Sequence, residues 1–580
     1  MILQVEDLTV SVREHAAVDG VSLSVRQGEI LGVVGESGSG KSLTALSIMG
    51  MLPTGVRATG GAIRFDGRDL LGLDEPALRQ VRGKDIGMVF QDPLAYLNPR
   101  MTVGAQLAEA MTVHGTGAKA AKTRAAELLD LVGITGARGR LGDHPHEFSG
   151  GQRQRVLIAM AMANEPRLLI ADEPTTALDV TVQAGILSLL RRLRDDTGTA
   201  VVIITHDMGI VEQVCDAAAV MYGGQIVEHG ATATLLGAPR HPYTHGLLQS
   251  VPRLGATRVR RLPVIPGAPP DLADRPPGCP FAPRCAHATD ECHTTRPPLT
   301  GFACFHPLSP AATVTVRDEQ EEPAAREPSP PVLVADAVSV VYGRRRKAVT
   351  AVSQVSLEAG PGRTVGIIGE SGSGKSTLAR ALLGLLPLAG GEVSVAGRTW
   401  DGASAKDRQA MRRAVQMVFQ DPYLSLNPRL PIRRTLAEPF EVHGLCQDDE
   451  IPERLDRLMD QVGLPRAFLD RLPYQLSGGQ RQRIGVARAL AVEPQVIVAD
   501  EPVSALDVSV QAQILNLLAD LRDETGVGIV FIAHDLGLVR HFCDETLVMY
   551  QGEVVERGPS QRLFEAPEHP YTKSLVSAAY

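Results

Sequence analysis

The chain has 580 residues, more than one hydrophobic core usually serves, and its composition, 44% hydrophobic and 21% charged, is that of ordinary globular protein. A net charge of −8 argues against a nucleic-acid coat, which would favour a basic face. No stretch reaches the ~18–20 apolar residues of a membrane-spanning helix. The start, Met1-Ile-Leu-Gln-Val-Glu-Asp, alternates like a strand and lacks a signal peptide's basic-then-apolar order, so the expectation is a protein made and kept in the cytosol.

In chain order, an apolar strand at Ile30–Val34 runs into Gly35, Glu36, Ser37, Gly38, Ser39, Gly40, Lys41 and Ser42, and then into a predicted helix. Strand, glycine-rich turn and helix form the setting of a phosphate loop. Glycines let backbone N–H groups turn inward around phosphates, and the helix N-terminus adds positive potential. The lysine reaches the β/γ-phosphates and the serine can ligate Mg²⁺. Further on come Gln91 and the run Ser149, Gly150, Gly151 and Gln152, which opens a helix expected over Arg153–Ala163. Asp172 closes the apolar run Leu168–Ala171, where a carboxylate at the mouth of a buried strand can hold Mg²⁺ through its water shell. Glu173, directly after it, is placed to polarise a water as general base, and His206 follows the buried strand Val201–Ile204.

The whole series then returns. Gly369, Glu370, Ser371, Gly372, Ser373, Gly374, Lys375 and Ser376, with Thr377 behind them, repeat the first loop 334 residues later. Gln420 follows Gln91 at an offset of 329. The run Ser477, Gly478, Gly479 and Gln480, the pair Asp500 and Glu501, His534 and His569-Pro-Tyr-Thr all follow at 328. A repeat this long is a duplicated domain, not a solenoid. The expected division is 1–255 for the first copy, 256–306 for a Cys- and Pro-rich segment, 307–331 for a flexible tether and 332–580 for the second copy. The cluster Arg344–Lys347 reads as a solvated turn.

The order phosphate loop, Gln, Ser-Gly-Gly-Gln, Asp-Glu, Ala-Leu-Asp, His resembles the ABC ATPase family, and the likeness covers both copies almost end to end. It implies an α/β fold of two tandem P-loop domains, each with a RecA-like core, a β subdomain and a helical signature subdomain, acting as an intramolecular ATPase dimer on ATP and Mg²⁺. By the same resemblance, site one uses Lys41, Ser42, Gln91, Asp172, Glu173 and His206, faced by Ser477–Gln480. Site two uses Lys375, Ser376, Gln420, Asp500, Glu501 and His534, faced by Ser149–Gln152. Gln91 and Gln420 would sense Mg²⁺ and the attacking water, and the two histidines would contact the γ-phosphate. Family members stack adenine on an aromatic residue before the phosphate loop. Tyr342 suits that role in copy two, whereas copy one offers only Val10-Ser-Val-Arg-Glu-His-Ala, with His15 as a substitute.

After Gln91 the chain reads Asp92-Pro-Leu-Ala-Tyr-Leu-Asn-Pro-Arg, and after Gln420 Asp421-Pro-Tyr-Leu-Ser-Leu-Asn-Pro-Arg. With the two His-Pro-Tyr-Thr runs, this is similar to the dipeptide/oligopeptide importer branch. That likeness implies two integral-membrane permease subunits, an extracytoplasmic substrate-binding protein and a place on the cytoplasmic face of a bacterial inner membrane. It implies no nucleic-acid partner. Nickel complexes, glutathione and some sugars use close relatives, so peptide is the leading cargo among open alternatives. The different-class alternative is a soluble twin-ABC protein acting on ribosomes or DNA; the charged helical linker or long zinc-bearing insertion of such proteins is not found in the sequence.

Four of the seven cysteines, Cys279, Cys285, Cys292 and Cys304, fall within 26 residues. In a cytosolic chain such a cluster points to metal rather than disulfides. The spacing lacks the close pairs of common zinc sites and leaves iron–sulfur, zinc and free thiols open. The segment resembles the peptide importers' C-terminal extension, which implies one [4Fe–4S] cluster per chain. Cys215 and Cys543, equivalent in the repeat, are expected to be core thiols.

Overall fold

Ile30–Val34, Leu168–Asp172 and Ala200–Thr205 are buried along their whole length. Strands covered on both faces belong in a parallel sheet with helices on either side. The computed structural model describes residues 1–176, 178–252, 254–255, 258–309, 330–343, 348–504 and 506–579. The cluster Arg344–Lys347 and nearly all of the expected tether therefore lie outside the described residues.

Two compact units result. Among the described residues, one holds 1–178, 182–250 and 265–309, the other 179–181, 251–264 and 330–579. In the first, a six-stranded sheet runs in the spatial order Gln225–Ala231, Ala217–Tyr222, Ile30–Val34, Ala200–Thr205, Leu168–Asp172, Ile86–Val89. Its strands are parallel except for Gln225–Ala231, which pairs antiparallel with its neighbour. A second, antiparallel sheet is built on Leu3–Val12, flanked by His15–Val25 and Val56–Phe65. In the second unit the six-stranded sheet runs Val415–Val418, Val496–Asp500, Gly528–Ile532, Thr364–Ile368, Glu545–Tyr550, Glu553–Pro559. The antiparallel sheet there is built on Leu333–Tyr342.

The parallel order places the C-terminal ends of Ile30–Val34 and Leu168–Asp172 on one edge of the sheet, where the loops after them carry Lys41 and Glu173. Cys215 and Cys543 are buried thiols of the two cores. Residues 251–264 pack with the second unit, where Leu254 and Leu262 join its core. Asn516 holds both backbone groups of Leu262 at 2.8–2.9 Å, and Arg258 bonds Asp544 at 3.1 Å. No described helix is long and apolar enough to cross a membrane.

Candidate functional site

In each copy the phosphate loop closes against the neighbouring strand. A Cβ on Gly35 would lie 2.1 Å from the Met221 carbonyl oxygen, and one on Gly369 2.2 Å from that of Met549, so only glycine fits. The loop then enters the helices Lys41–Ile48 and Lys375–Leu382. Lys41 Nζ donates to the Gly35 and Glu36 carbonyls at 2.7 and 2.9 Å; Lys375 does the same to Gly369 and Glu370 at 2.7 and 2.8 Å. Both ammonium groups are thus held inside the loop, and burial lowers the pKa of Lys375 from its ordinary value against the pull of Glu501.

Ser42 Oγ donates to Asp172 at 3.1 Å, and Ser376 Oγ to Asp500 at 3.1 Å. Burial, with the adjacent glutamate's charge, raises both aspartates above the usual carboxylate range despite these bonds. A hydroxyl and a carboxylate with few other partners suit a hydrated divalent cation, whose charge would offset that penalty.

Glu173 and Glu501 are drawn into matching networks. Gln91 Nε2 donates to Glu173 at 2.8 Å and Gln420 Nε2 to Glu501 at 2.8 Å. His206 Nδ1 lies 3.3 Å from Glu173, and His534 Nδ1 3.5 Å from Glu501. Burial would raise Glu173, but the hydrogen bond and charge of His206, with Thr176, outweigh it and bring the carboxyl down to about 2. Glu501 is lowered by His534 against the same opposition from burial, and burial is in turn outweighed at His534, which Glu501 raises. Both glutamates also sit in the left-handed region, at φ of +47° and +46°. Non-glycine residues there cost of order 1–3 kcal/mol and cluster at functional sites.

The Ser-Gly-Gly-Gln runs form capping boxes. Ser149 Oγ accepts from the Gln152 N–H at 3.3 Å while the Gln152 side chain accepts from the Ser149 N–H at 3.1 Å, and Ser477 and Gln480 repeat this at 3.3 and 2.9 Å. The helices therefore begin at Gly150 and Gly478, one residue after the cap, the first of them earlier than the expected Arg153. Gly151 and Gly479 are closely packed, each with Cβ space only 2.3 Å from a valine methyl on the following long helix.

The two copies differ at the tip of the antiparallel sheet. Tyr342, at the end of its strand, is 43% exposed with its hydroxyl 3.5 Å from that of Thr377. In copy one Val12 ends the corresponding strand, paired across a tight hairpin with the exposed His15.

Cys279, Cys285, Cys292 and Cys304 line one cavity of about 20 Å³, with His241, Phe281, Pro297 and Phe305 around it. Backbone N–H groups of Phe281, His287 and His306 bond Cys279, Cys285 and Cys304. Burial pushes Cys279 up to about 11 and raises Cys285 and Cys304. Four converging thiols are a donor set suited to a thiolate-held group. Among the described residues, however, no three His, Cys, Asp or Glu side chains stand as ligands of a single ion. A space of this size holds about one water.

Sequence reasoning did not single out Thr176, Tyr222, Tyr243 or Arg284 for these sites. Tyr243 was within reach, because it belongs to a repeated run: its hydroxyl accepts the Glu36 N–H at 2.9 Å, and the Tyr571 hydroxyl accepts that of Glu370 at 3.0 Å.

Against known proteins, residues 18–176 and 352–504 match the ABC transporter family, and residues 227–292 and 555–580 match the oligopeptide/dipeptide transporter C-terminal region. The chain is 47% identical to the oligopeptide transport ATP-binding proteins OppD of Mycobacterium bovis and Mycobacterium tuberculosis, over 100% of its own length and 98% of theirs. It is 41% identical to the glutathione import ATP-binding protein GsiA of Escherichia coli O157:H7, over 100% of its length and 89% of that protein.

Proposed function

The chain belongs to the ABC transporter family, an ATPase carrying two ABC domains, and from that premise we propose that it energises import of peptides through a membrane permease. The observation that carries this reading is the full-length likeness to oligopeptide transport ATP-binding proteins, joined to the matched peptide-transporter C-terminal region. The geometry supports the following division of roles. Lys41 and Lys375 exchange their loop carbonyls for β/γ-phosphate oxygens, and the loop N–H groups cradle the rest. Ser42, Asp172 and Gln91, with Ser376, Asp500 and Gln420 in copy two, would hold Mg²⁺, which when bound would supply charge neutralisation on the phosphates. Glu173 and Glu501, kept ionised by their histidines, orient and polarise the attacking water; His206 and His534 hold the carboxylates and reach the γ-phosphate. Ser149–Gln152 and Ser477–Gln480 present helix N-termini to a nucleotide phosphate.

The proposed division is two ABC domains at 1–255 and 332–580, an extension at 256–306 and a tether at 307–331. The proposed partners are two permease subunits and an external binding protein, with the chain peripheral on the cytoplasmic face of the membrane. We read the four thiols as ligands of a [4Fe–4S] cluster, a reading supported by their convergence on one cavity. Anaerobically purified protein should then hold about four irons per chain, and Cys285→Ser should lower that content while Cys446→Ser should not. Colourless, iron-free protein would refute it, and one tightly bound zinc would replace it.

The transport reading is tested by isolating the chain from membranes, identifying its partners by mass spectrometry, and measuring uptake in cells carrying Glu173→Gln and Glu501→Gln. Loss of oligopeptide uptake is expected. Intact peptide uptake with lost glutathione uptake would establish the second reading, which the likeness to the glutathione importer favours.

A further inference from the structure

The four-thiol cavity stands next to the phosphate loop of copy one. Arg284, between Cys279 and Cys285, reaches Glu36 of the loop with Nη1–Oε2 at 2.6 Å and Nη2–Oε1 at 3.2 Å. The two side chains are 4% and 3% exposed. The rest of the guanidinium is satisfied too: Nη1 donates to the Tyr222 hydroxyl at 3.1 Å and Nε to the Pro266 carbonyl at 2.7 Å.

A second route joins the same two places. His241 lines the cavity, and its Nδ1 accepts the Tyr243 N–H at 3.0 Å. The Tyr243 hydroxyl in turn accepts the Glu36 N–H at 2.9 Å. Phe281 fills the space between the routes, its ring 5.3 Å from Tyr222, 5.4 Å from Tyr243 and 5.8 Å from His241. Glu36 is thereby gripped at its carboxylate, its N–H and, through Lys41, its carbonyl. In copy two Tyr571 repeats the N–H bond to Glu370, but no arginine pairs with that glutamate among the described residues.

A buried, bidentate arginine–carboxylate pair has two discrete states, made or broken, and breaking it leaves an uncompensated buried charge. We propose that Arg284 is a positioning residue for the phosphate loop of copy one, through which the four-thiol segment and the nucleotide at site one bias each other, while site two is free of this control. The inference rests on the reading of Gly35–Ser42 as a nucleotide-binding loop. The extension thereby acts on nucleotide binding. When the thiol segment is closed the loop is held ready for phosphate, and when the segment opens, as on loss of a bound metal, site one weakens.

The test uses the full chain with Lys375→Ala, so that a fluorescent ATP analogue reports site one, and follows labelling of Cys285 by N-ethylmaleimide, resolved by mass spectrometry. Burial raises the pKa of this half-buried thiol and slows its reaction while the segment is closed, so the labelling rate rises as the segment opens, whether the thiol is free or ligating. A non-hydrolysable ATP analogue should slow Cys285 labelling about 5-fold or more, within the usual 5–150-fold span of coupling between sites, and leave Cys446 unchanged. Arg284→Met should raise Kd at site one by a like factor and abolish the nucleotide effect on Cys285, with Arg284→Lys in between. Unchanged Cys285 labelling on nucleotide binding, a measurement that needs no change at Arg284, overturns the proposal. So does an Arg284→Met chain that melts earlier yet keeps the parent's site-one Kd, since the pair would then only anchor the extension. Lys41→Ala separates the two readings: if it leaves binding intact, the assignment of the loop fails rather than the coupling.

Discussion

Gly35 and Gly38 stand three residues apart in the same loop, and alanine at each should fail for different reasons and by different amounts. At Gly35 the added methyl would meet the Met221 carbonyl oxygen at 2.1 Å and Ser39 Oγ at 2.9 Å. The nearer atom is backbone in the adjacent strand, so the gap has to open by about 0.9 Å to reach even a tight 3.0 Å contact. Overpacking against backbone that cannot rotate away costs up to ~3 kcal/mol, on the order of 10²-fold if it falls on binding. At Gly38 nothing lies within 4 Å, but φ is +77°, so the cost is the left-handed conformation alone. That is ~1–2 kcal/mol, or roughly 5–30-fold in binding. Equilibrium titration of the Lys375→Ala chain with a fluorescent ATP analogue should therefore rank parent, Gly38→Ala, Gly35→Ala in falling affinity. A Gly35→Ala chain within threefold of the parent, or a reversed order, would refute the reasoning.

Glu501→Gln should leave ATP binding intact and slow steady-state hydrolysis by ~10²–10⁴-fold, with Glu173→Gln as the matched change; unaltered turnover in the assembled complex would remove the general-base assignment at that site. Tyr342→Ala should weaken nucleotide binding at site two several-fold, the ~0.5–1.5 kcal/mol of an aromatic contact, while Val12→Ala should leave site one unaltered; equal sensitivity of both sites would count against adenine stacking at Tyr342. Burial, aided by Arg258, lowers His541 to about 4, so between there and 6.5 the unfolded chain binds a proton that the folded one does not. Stability rises with pH across that window and falls on acidification, by ~2 kcal/mol from pH 8 to pH 5. Urea midpoints at the two pH values should show a smaller acid loss for His541→Gln than for wild type, and identical losses would falsify the assignment.

Local chemistry made much of both sites legible in the sequence. Gly35–Ser42 is a contiguous run whose geometry follows from strand, glycines and helix start, and Ser149 with Gln152 closes its capping box within four residues. The repeat supplied each assignment twice, and the paired distances agree to within 0.2 Å. Fully apolar runs ending in Asp172 and Asp500 already placed those carboxylates at the ends of buried strands, because a sheet covered on both faces leaves polar groups only at its edges.

What only the tertiary structure decided concerns residues far apart in the chain. The left-handed backbone at Glu173 and Glu501 comes from the turn between sheet and helix and has no marker in residue type. That Val12, paired with His15, is the residue of copy one standing at the strand end that Tyr342 occupies in copy two is a matter of strand register, which spacing alone does not give. Arg284 and Glu36 are separated by 248 positions, and an arginine among prolines reads from sequence as solvated. It is buried because the extension folds back onto the strand Ala217–Tyr222 and the helix Pro242–Gln249, which bring Tyr222 and Tyr243 to the same point. Burying such a charge is tolerable only beside a carboxylate with every donor satisfied. That condition is met by the whole fold and by no stretch of the sequence.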